Sequence, residues 1–122
     1  MASTIVTRPT WAQVDLDSLK FNLNSAKSFI GPEIRVMAVV KADAYGHGAT
    51  PCALALEAAG ADWLAVSLPE EGAELRAANV GLPILCLVGF WPGQEGLLFR
   101  HNLTPVIFII EQAAALDHAA RE

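Results

Sequence analysis

The chain has 122 residues, 53% of them apolar and 17% charged, with a formal net charge of −5. That composition supports a packed core in one small domain or in part of a larger one, and it excludes a disordered segment. The acidic balance, with eight Lys and Arg residues scattered and no basic run, argues against a nucleic-acid surface.

The opening residues, MASTIVTRPT, contain no long apolar stretch of the kind that marks a signal peptide. Trp11 to Leu16 alternates apolar and polar residues, the period of a half-buried strand. Asp17 or Ser18 is then placed to cap a helix running to about Ile30, with Leu19, Leu23 and Ala26 on one face and Gly31-Pro32 as its stop. Ile34 to Val40 reads as a buried strand. Thr50-Pro51 suits the cap and first turn of a helix that ends at Gly60. Trp63 to Ser67 is a third strand. Ser67, Pro69 and the acids Glu70 and Glu71 open a helix reaching about Asn79, which makes Glu70, Glu71 and Glu74 a first turn and an exposed helix face rather than an acidic catalytic cluster. Pro83 to Phe90 is a fourth strand, Gln94 to His101 a short helix, Leu103 to Ile109 a fifth strand, and Glu111 to Arg121 a last, alanine-rich helix.

About five strands and five helices in strict alternation, with nearly continuous apolar strands, predict a parallel sheet covered by helices. The class is α/β. No Gly-x-Gly-x-x-Gly follows any strand, which disfavours dinucleotide binding. A (β/α)₈ TIM barrel takes about 250 residues. The expectation is therefore the N-terminal part of such a barrel, about five βα units, truncated. The mean hydropathy of +0.38 fits an interior built to be covered. Cys52 and Cys86 form no C-x-x-C pair and no metal-ligand spacing with histidine; they read as small buried hydrophobes, and no metal site is expected. The longest apolar run, Pro83 to Trp91, is far short of the ~20 residues that span a bilayer, and a soluble cytoplasmic protein is expected. Trp11, Trp63 and Trp91 read as packing anchors.

The stretch richest in chemical information is Val39 to Gly48, VVKADAYGHG. Lys41 ends an apolar run and so stands at the carboxyl mouth of a strand, the face that carries active sites in βα barrels. Ala42, Ala44, Gly46 and Gly48 are small enough to let a ligand or another backbone approach, and Tyr45 adds a hydroxyl donor. One reading is a solvated loop lysine. The other is a lysine whose desolvated, neutral amine attacks an aldehyde, of which pyridoxal phosphate is the common cofactor form.

VVKADAYGHG resembles the pyridoxal-phosphate attachment signature of the alanine racemase family. TWAQVDLDSLKFNL resembles the segment that begins those enzymes, and PILCLVGF resembles one of their barrel strands. The resemblance runs from Thr10 through essentially the whole chain. It implies a fold-type III enzyme with an N-terminal βα barrel and a C-terminal β domain, working as a homodimer, whose product D-alanine supplies peptidoglycan. Residues 1–122 are then a partial barrel domain without the β domain. Lys41 is implied as the Schiff-base lysine and as the base acting on the D-enantiomer. Tyr45 is implied as a phosphate ligand, with Val39 and Leu87 beside the cofactor ring. His47 is expected to be buried and to order the loop.

The family's second base is a tyrosine from the β domain, whereas the single tyrosine here is Tyr45. The arginines present do not match the family's cofactor- and substrate-binding positions. The chain alone is accordingly expected to be inactive. Two alternatives stand beside this reading: a pyridoxal-phosphate-binding homeostasis protein of the same fold type, and a non-catalytic half-barrel that binds a partner through its open edges.

Overall fold

The computed structural model describes residues 8–122; the expectation for the chain's start falls mostly on residues 1–7, outside the described part. The chain runs α1 (Leu16–Ile30), β1 (Met37–Val39), α2 (Lys41–Gly46), α3 (Ala49–Ala58), β2 (Trp63–Val66), α4 (Pro69–Ala77), β3 (Ile84–Cys86), α5 (Glu95–Arg100), β4 (Thr104–Pro105) and α6 (Ile110–Ala119). The strands form one sheet in the order β1-β2-β3-β4, every pairing parallel. The expected α/β class holds, with four strands rather than five among the described residues.

Register decides the two faces, because side chains alternate along a strand. Leu64 pairs with Ile84 and Val66 with Cys86, and all four are fully buried. They meet Cys52, Ala53 and Leu56 of α3, Leu75 of α4 and Leu98 of α5 in one core. Burying a leucine such as Leu64 contributes about 1.5–3 kcal/mol. Both cysteines are free and buried in this core, as expected. Gly72 lets α4 press on Leu103, just ahead of β4: a Cβ there would meet Leu103 Cδ2 at 2.8 Å. The other face carries Met37 and Val39, then Ala65, Leu85 and Thr104 across the register. Met37 and Val39 remain 41% and 40% exposed on it.

Two clamps fix the end of the sheet where the strands begin. Arg76 donates to four carbonyls, those of Val80 and Leu82 at 2.7 Å, His101 at 2.9 Å and Asn102 at 3.1 Å. Partial burial lowers its pKa, with the Glu57 charge opposing that shift. Glu57 accepts from the amides of Gly81 and Leu82 at 2.8 and 3.0 Å.

Several local expectations need correction. Trp11 to Leu16 is no strand: residues 11–15 are exposed and unpaired in the sheet, and α1 begins at Leu16. A ladder needs a neighbouring edge, and β1 pairs only with β2. The cap of α1 is Asp15, earlier than Asp17 or Ser18; its carboxylate accepts from the amides of Asp17 and Ser18, both at 3.0 Å. Those bonds hold its carboxyl below the ordinary aspartate range. On α1, Leu23 is buried and Leu19 half-buried, whereas Ala26 faces solvent. Helix α3 starts at Ala49, ahead of Thr50-Pro51, because the Asp43 carboxylate accepts from the Ala49 amide at 2.7 Å.

Candidate active site at the strand mouths

Lys41 stands one residue beyond β1, after Val40. The amide of Val40 still donates to Ala65 O at 2.8 Å, so the ladder ends one residue before the lysine. The chain then does something the sequence did not announce. Ala42, Asp43, Ala44 and Tyr45 take φ of 50, 56, 51 and 57° and ψ between 35 and 52°, making α2 a left-handed turn of four non-glycine residues. Each such residue costs about 1–2 kcal/mol against the right-handed alternative.

A set of bonds offsets that strain. Ala44 N donates to Val40 O at 3.0 Å and Gly48 N to Asp43 O at 2.9 Å. The His47 ring, through Nδ1, donates to Ala44 O at 2.8 Å. Asp43 tolerates the left-handed region better than most residues and caps α3 from inside the turn. His47 therefore orders the loop as expected, yet it is exposed rather than buried. The remaining bond comes from outside the turn: Ala42 N donates to Glu71 Oε1 at 2.7 Å. Glu71 was readable only as a helix first-turn acid, and nothing in its local sequence points to a loop 29 positions away.

The other mouths are closed in a related way. The Gln94 side chain accepts from the Trp91 amide at 2.8 Å and donates to Glu70 Oε1 at 2.6 Å. Gln112 accepts from the Phe108 amide at 2.8 Å. At the starts of α5 and α6 a glutamine thus reaches back to the preceding loop. Beneath them, burial and the Glu71 and Glu70 charges push the Cys86 thiol up to about 11. It is an inert core residue.

The four residues singled out from the sequence all lie at this rim. Lys41 is half-buried, and among the described residues its amine has no hydrogen-bond or ion-pair partner. Tyr45 is 59% exposed, with no hydrogen bond to its hydroxyl within the described chain. Val39 and Tyr45 share a groove of about 450 Å³ along the β1 edge, which the start of α1 also lines. Lys41 does not line that groove. Leu87, half-buried, sits past the end of β3, its amide bonded to Val66 O at 2.8 Å. An unpaired amine, a free phenol donor and apolar rim surface are a donor set that fits an aldehyde carrying a flat ring and a phosphate. Among the described residues no group of three or more His, Cys, Asp or Glu side chains is arranged to hold a metal ion. No helix among them is long and apolar enough to cross a membrane.

Parallel βα units in chain order, with an unpartnered lysine at the carboxyl rim, belong to the βα-barrel class of domain. Comparison with known proteins takes this further. The family model described as "Alanine racemase, N-terminal domain" matches residues 14–122. The chain belongs to that family. It is 48% identical over 115 residues to the alanine racemase of Halothermothrix orenii, covering 94% of this chain and 30% of that protein. It is 50% identical over 113 residues to that of Aromatoleum aromaticum, covering 92% and 31%. Among solved structures, alanine racemase from Clostridium difficile 630 superposes with a TM-score of 0.86 at 38% identity, over 95% of this chain and 30% of that one. The Bacillus anthracis enzyme with bound L-Ala-P gives 0.84 at 34% identity, over 95% and 29%. The chain spans about 30% of the length of the curated relatives it matches.

Proposed function

We propose that this chain is the lysine-bearing part of a pyridoxal-phosphate-dependent alanine racemase, a cytoplasmic homodimer as a whole protein, interconverting L- and D-alanine and supplying D-alanine for peptidoglycan. The observation that carries the reading is Lys41: a half-buried amine without a partner among the described residues, at the end of β1 and directly before the left-handed turn that presents Tyr45. Kinship with alanine racemases supports the substrate and the cofactor. Residues 1–122 are, on this reading, a partial βα-barrel domain, with a C-terminal β domain belonging to the rest of the protein.

Pyridoxal phosphate, when bound, supplies an electron sink that lets the α-proton of an amino acid leave. Lys41 would hold the cofactor's aldehyde through Nζ, and its neutral amine would take the α-proton of the D-enantiomer at the same atom. It returns a proton to that face in the opposite direction. Tyr45 would donate its hydroxyl to the cofactor phosphate. Val39 and Leu87 would give the ring an apolar wall and keep water from it. Inversion needs a base on each face, and a missing base costs about 10²–10⁴ in rate. Lys41 is the one this rim offers, so the 122 residues by themselves are not expected to racemise alanine.

The test is chemical. The chain is incubated with pyridoxal phosphate, reduced with borohydride and digested, and the modified lysines are mapped by mass spectrometry against Lys41→Ala. Selective labelling of Lys41 over Lys20 and Lys27 is expected. Equal labelling of the three, or none, would sink the proposal.

A further inference from the structure

Glu71 has two oxygens, and closing its own helix start uses only one. Oε2 accepts from the amides of Ser67 at 2.7 Å and Leu68 at 2.8 Å, which fastens the corner between β2 and α4. Oε1 reaches a different loop and accepts from Ala42 N at 2.7 Å. Ala42 is the first left-handed residue of α2 and the neighbour of Lys41. One half-buried carboxylate therefore bridges two strand mouths. Among the described residues, it is the only group outside residues 40–49 that hydrogen-bonds the backbone of the left-handed turn.

We propose that Glu71 is a positioning residue for Lys41: its Oε1 holds Ala42 in the left-handed conformation and so fixes the directions in which the Lys41 amine and the Tyr45 hydroxyl leave the rim. The inference rests on reading Lys41 as the cofactor lysine. The chemistry demands a carboxylate. Three amide donors from two loops need an acceptor at both oxygens, and bonds from N–H to an ionised carboxylate are shorter and stronger than neutral ones. Glutamine has one acceptor oxygen and must release either Ala42 or the Ser67–Leu68 corner. Without Glu71 the turn keeps only bonds that arise within residues 40–49, and these do not tie it to the neighbouring strand.

The experiment compares Glu71→Gln and Glu71→Ala with Glu57→Ala, which loses a pair of carboxylate bonds at the opposite end of the sheet. Two quantities are read: hydrogen exchange of the Ala42 amide by NMR, and reductive labelling of Lys41 relative to Lys20 at limiting pyridoxal phosphate. In Glu71→Ala the Ala42 amide should exchange about tenfold faster or more, and relative labelling of Lys41 should fall by about the same factor, as expected for losing a hydrogen bond to a charged group; in Glu71→Gln one of the two loops, Ala42 or Ser67–Leu68, should lose its protection, and Lys41 labelling should follow Ala42. Glu57→Ala should lower the melting temperature and leave both readouts unchanged. Unchanged exchange and labelling in both Glu71 variants would overturn the inference, and so would an equal loss of Lys41 labelling in Glu57→Ala. If Glu71→Ala does not fold, Glu71→Gln decides: with the Ala42, Ser67 and Leu68 amides all as protected as in wild type the inference fails. A wild-type chain without selective Lys41 labelling refutes the proposed function; Ala42 exchange then decides by itself whether Glu71 holds the turn.

Discussion

Replacing Ala42 by glycine is expected to stabilise this protein, the reverse of the usual effect of such a change. At φ 50° and ψ 52°, Ala42 sits where a Cβ collides with the following carbonyl, a cost of about 1–2 kcal/mol that glycine does not bear. Against this stands the greater freedom of glycine in the unfolded chain, about 0.5–1 kcal/mol. The Ala42 side chain is exposed, so little packing is lost, and its amide bond to Glu71 survives the change. The net expectation is a gain of about 0.5–1 kcal/mol. Ala26 provides the contrast: it is equally exposed but lies inside the right-handed helix α1, where glycine should cost about 1 kcal/mol. Urea titrations followed by circular dichroism, compared at equal slope, measure both. The two variants should move the midpoint in opposite directions. If Ala42→Gly destabilises as much as Ala26→Gly, the turn is not left-handed in solution and the reasoning about its strain fails.

The remaining predictions concern the core and the acid limb. Cys86, fully buried with its thiol pushed up to about 11, should resist iodoacetamide at pH 8 in the folded chain and react at the rate of a free thiol in urea; folded-state alkylation approaching that rate would contradict its placement. Asp62 accepts from the Val36 amide at 2.7 Å and pairs with Lys27 at 3.3 Å, and these contacts, the amide bond foremost, hold its carboxyl below the ordinary range. A folded-state pKa below the unfolded value means that its contribution is present above about pH 3.9 and is lost as pH falls through the folded value. Asp62→Asn should therefore be less stable than wild type at pH 7, with the gap closing towards pH 3. A gap that does not change with pH would refute the assignment.

Much of this architecture is legible without coordinates. Apolar runs around Val39, Leu64, Leu85 and Thr104, each separated by a helical pattern, announce parallel βα units, and all four became neighbouring strands in chain order. The strands proved shorter than their apolar runs. Leu103 to Ile109 contributes only Thr104 and Pro105 to the ladder, since hydrogen-bonded pairing rather than hydrophobicity sets a strand's length. Trp11 to Leu16 shows the limit from the other side. Its alternation is genuine, but a strand is a relation between two segments, and here the segment pairs with none.

Sequence by itself determined that Lys41 ends an apolar strand and that a small-residue loop with one tyrosine follows, because strand ends and side-chain sizes are local properties. It also determined the family, because VVKADAYGHG is a specific string. Only the tertiary structure decided the handedness of that loop. Ala-Asp-Ala-Tyr favours the right-handed conformation residue by residue, and that preference is opposed by bonds within residues 40–49 and by one from elsewhere in the chain, to the Glu71 carboxylate of α4. A hydrogen bond between positions 29 apart leaves no trace in the periodicity of either segment, and so the geometry around the lysine exists only once the sheet has brought β1 beside β2.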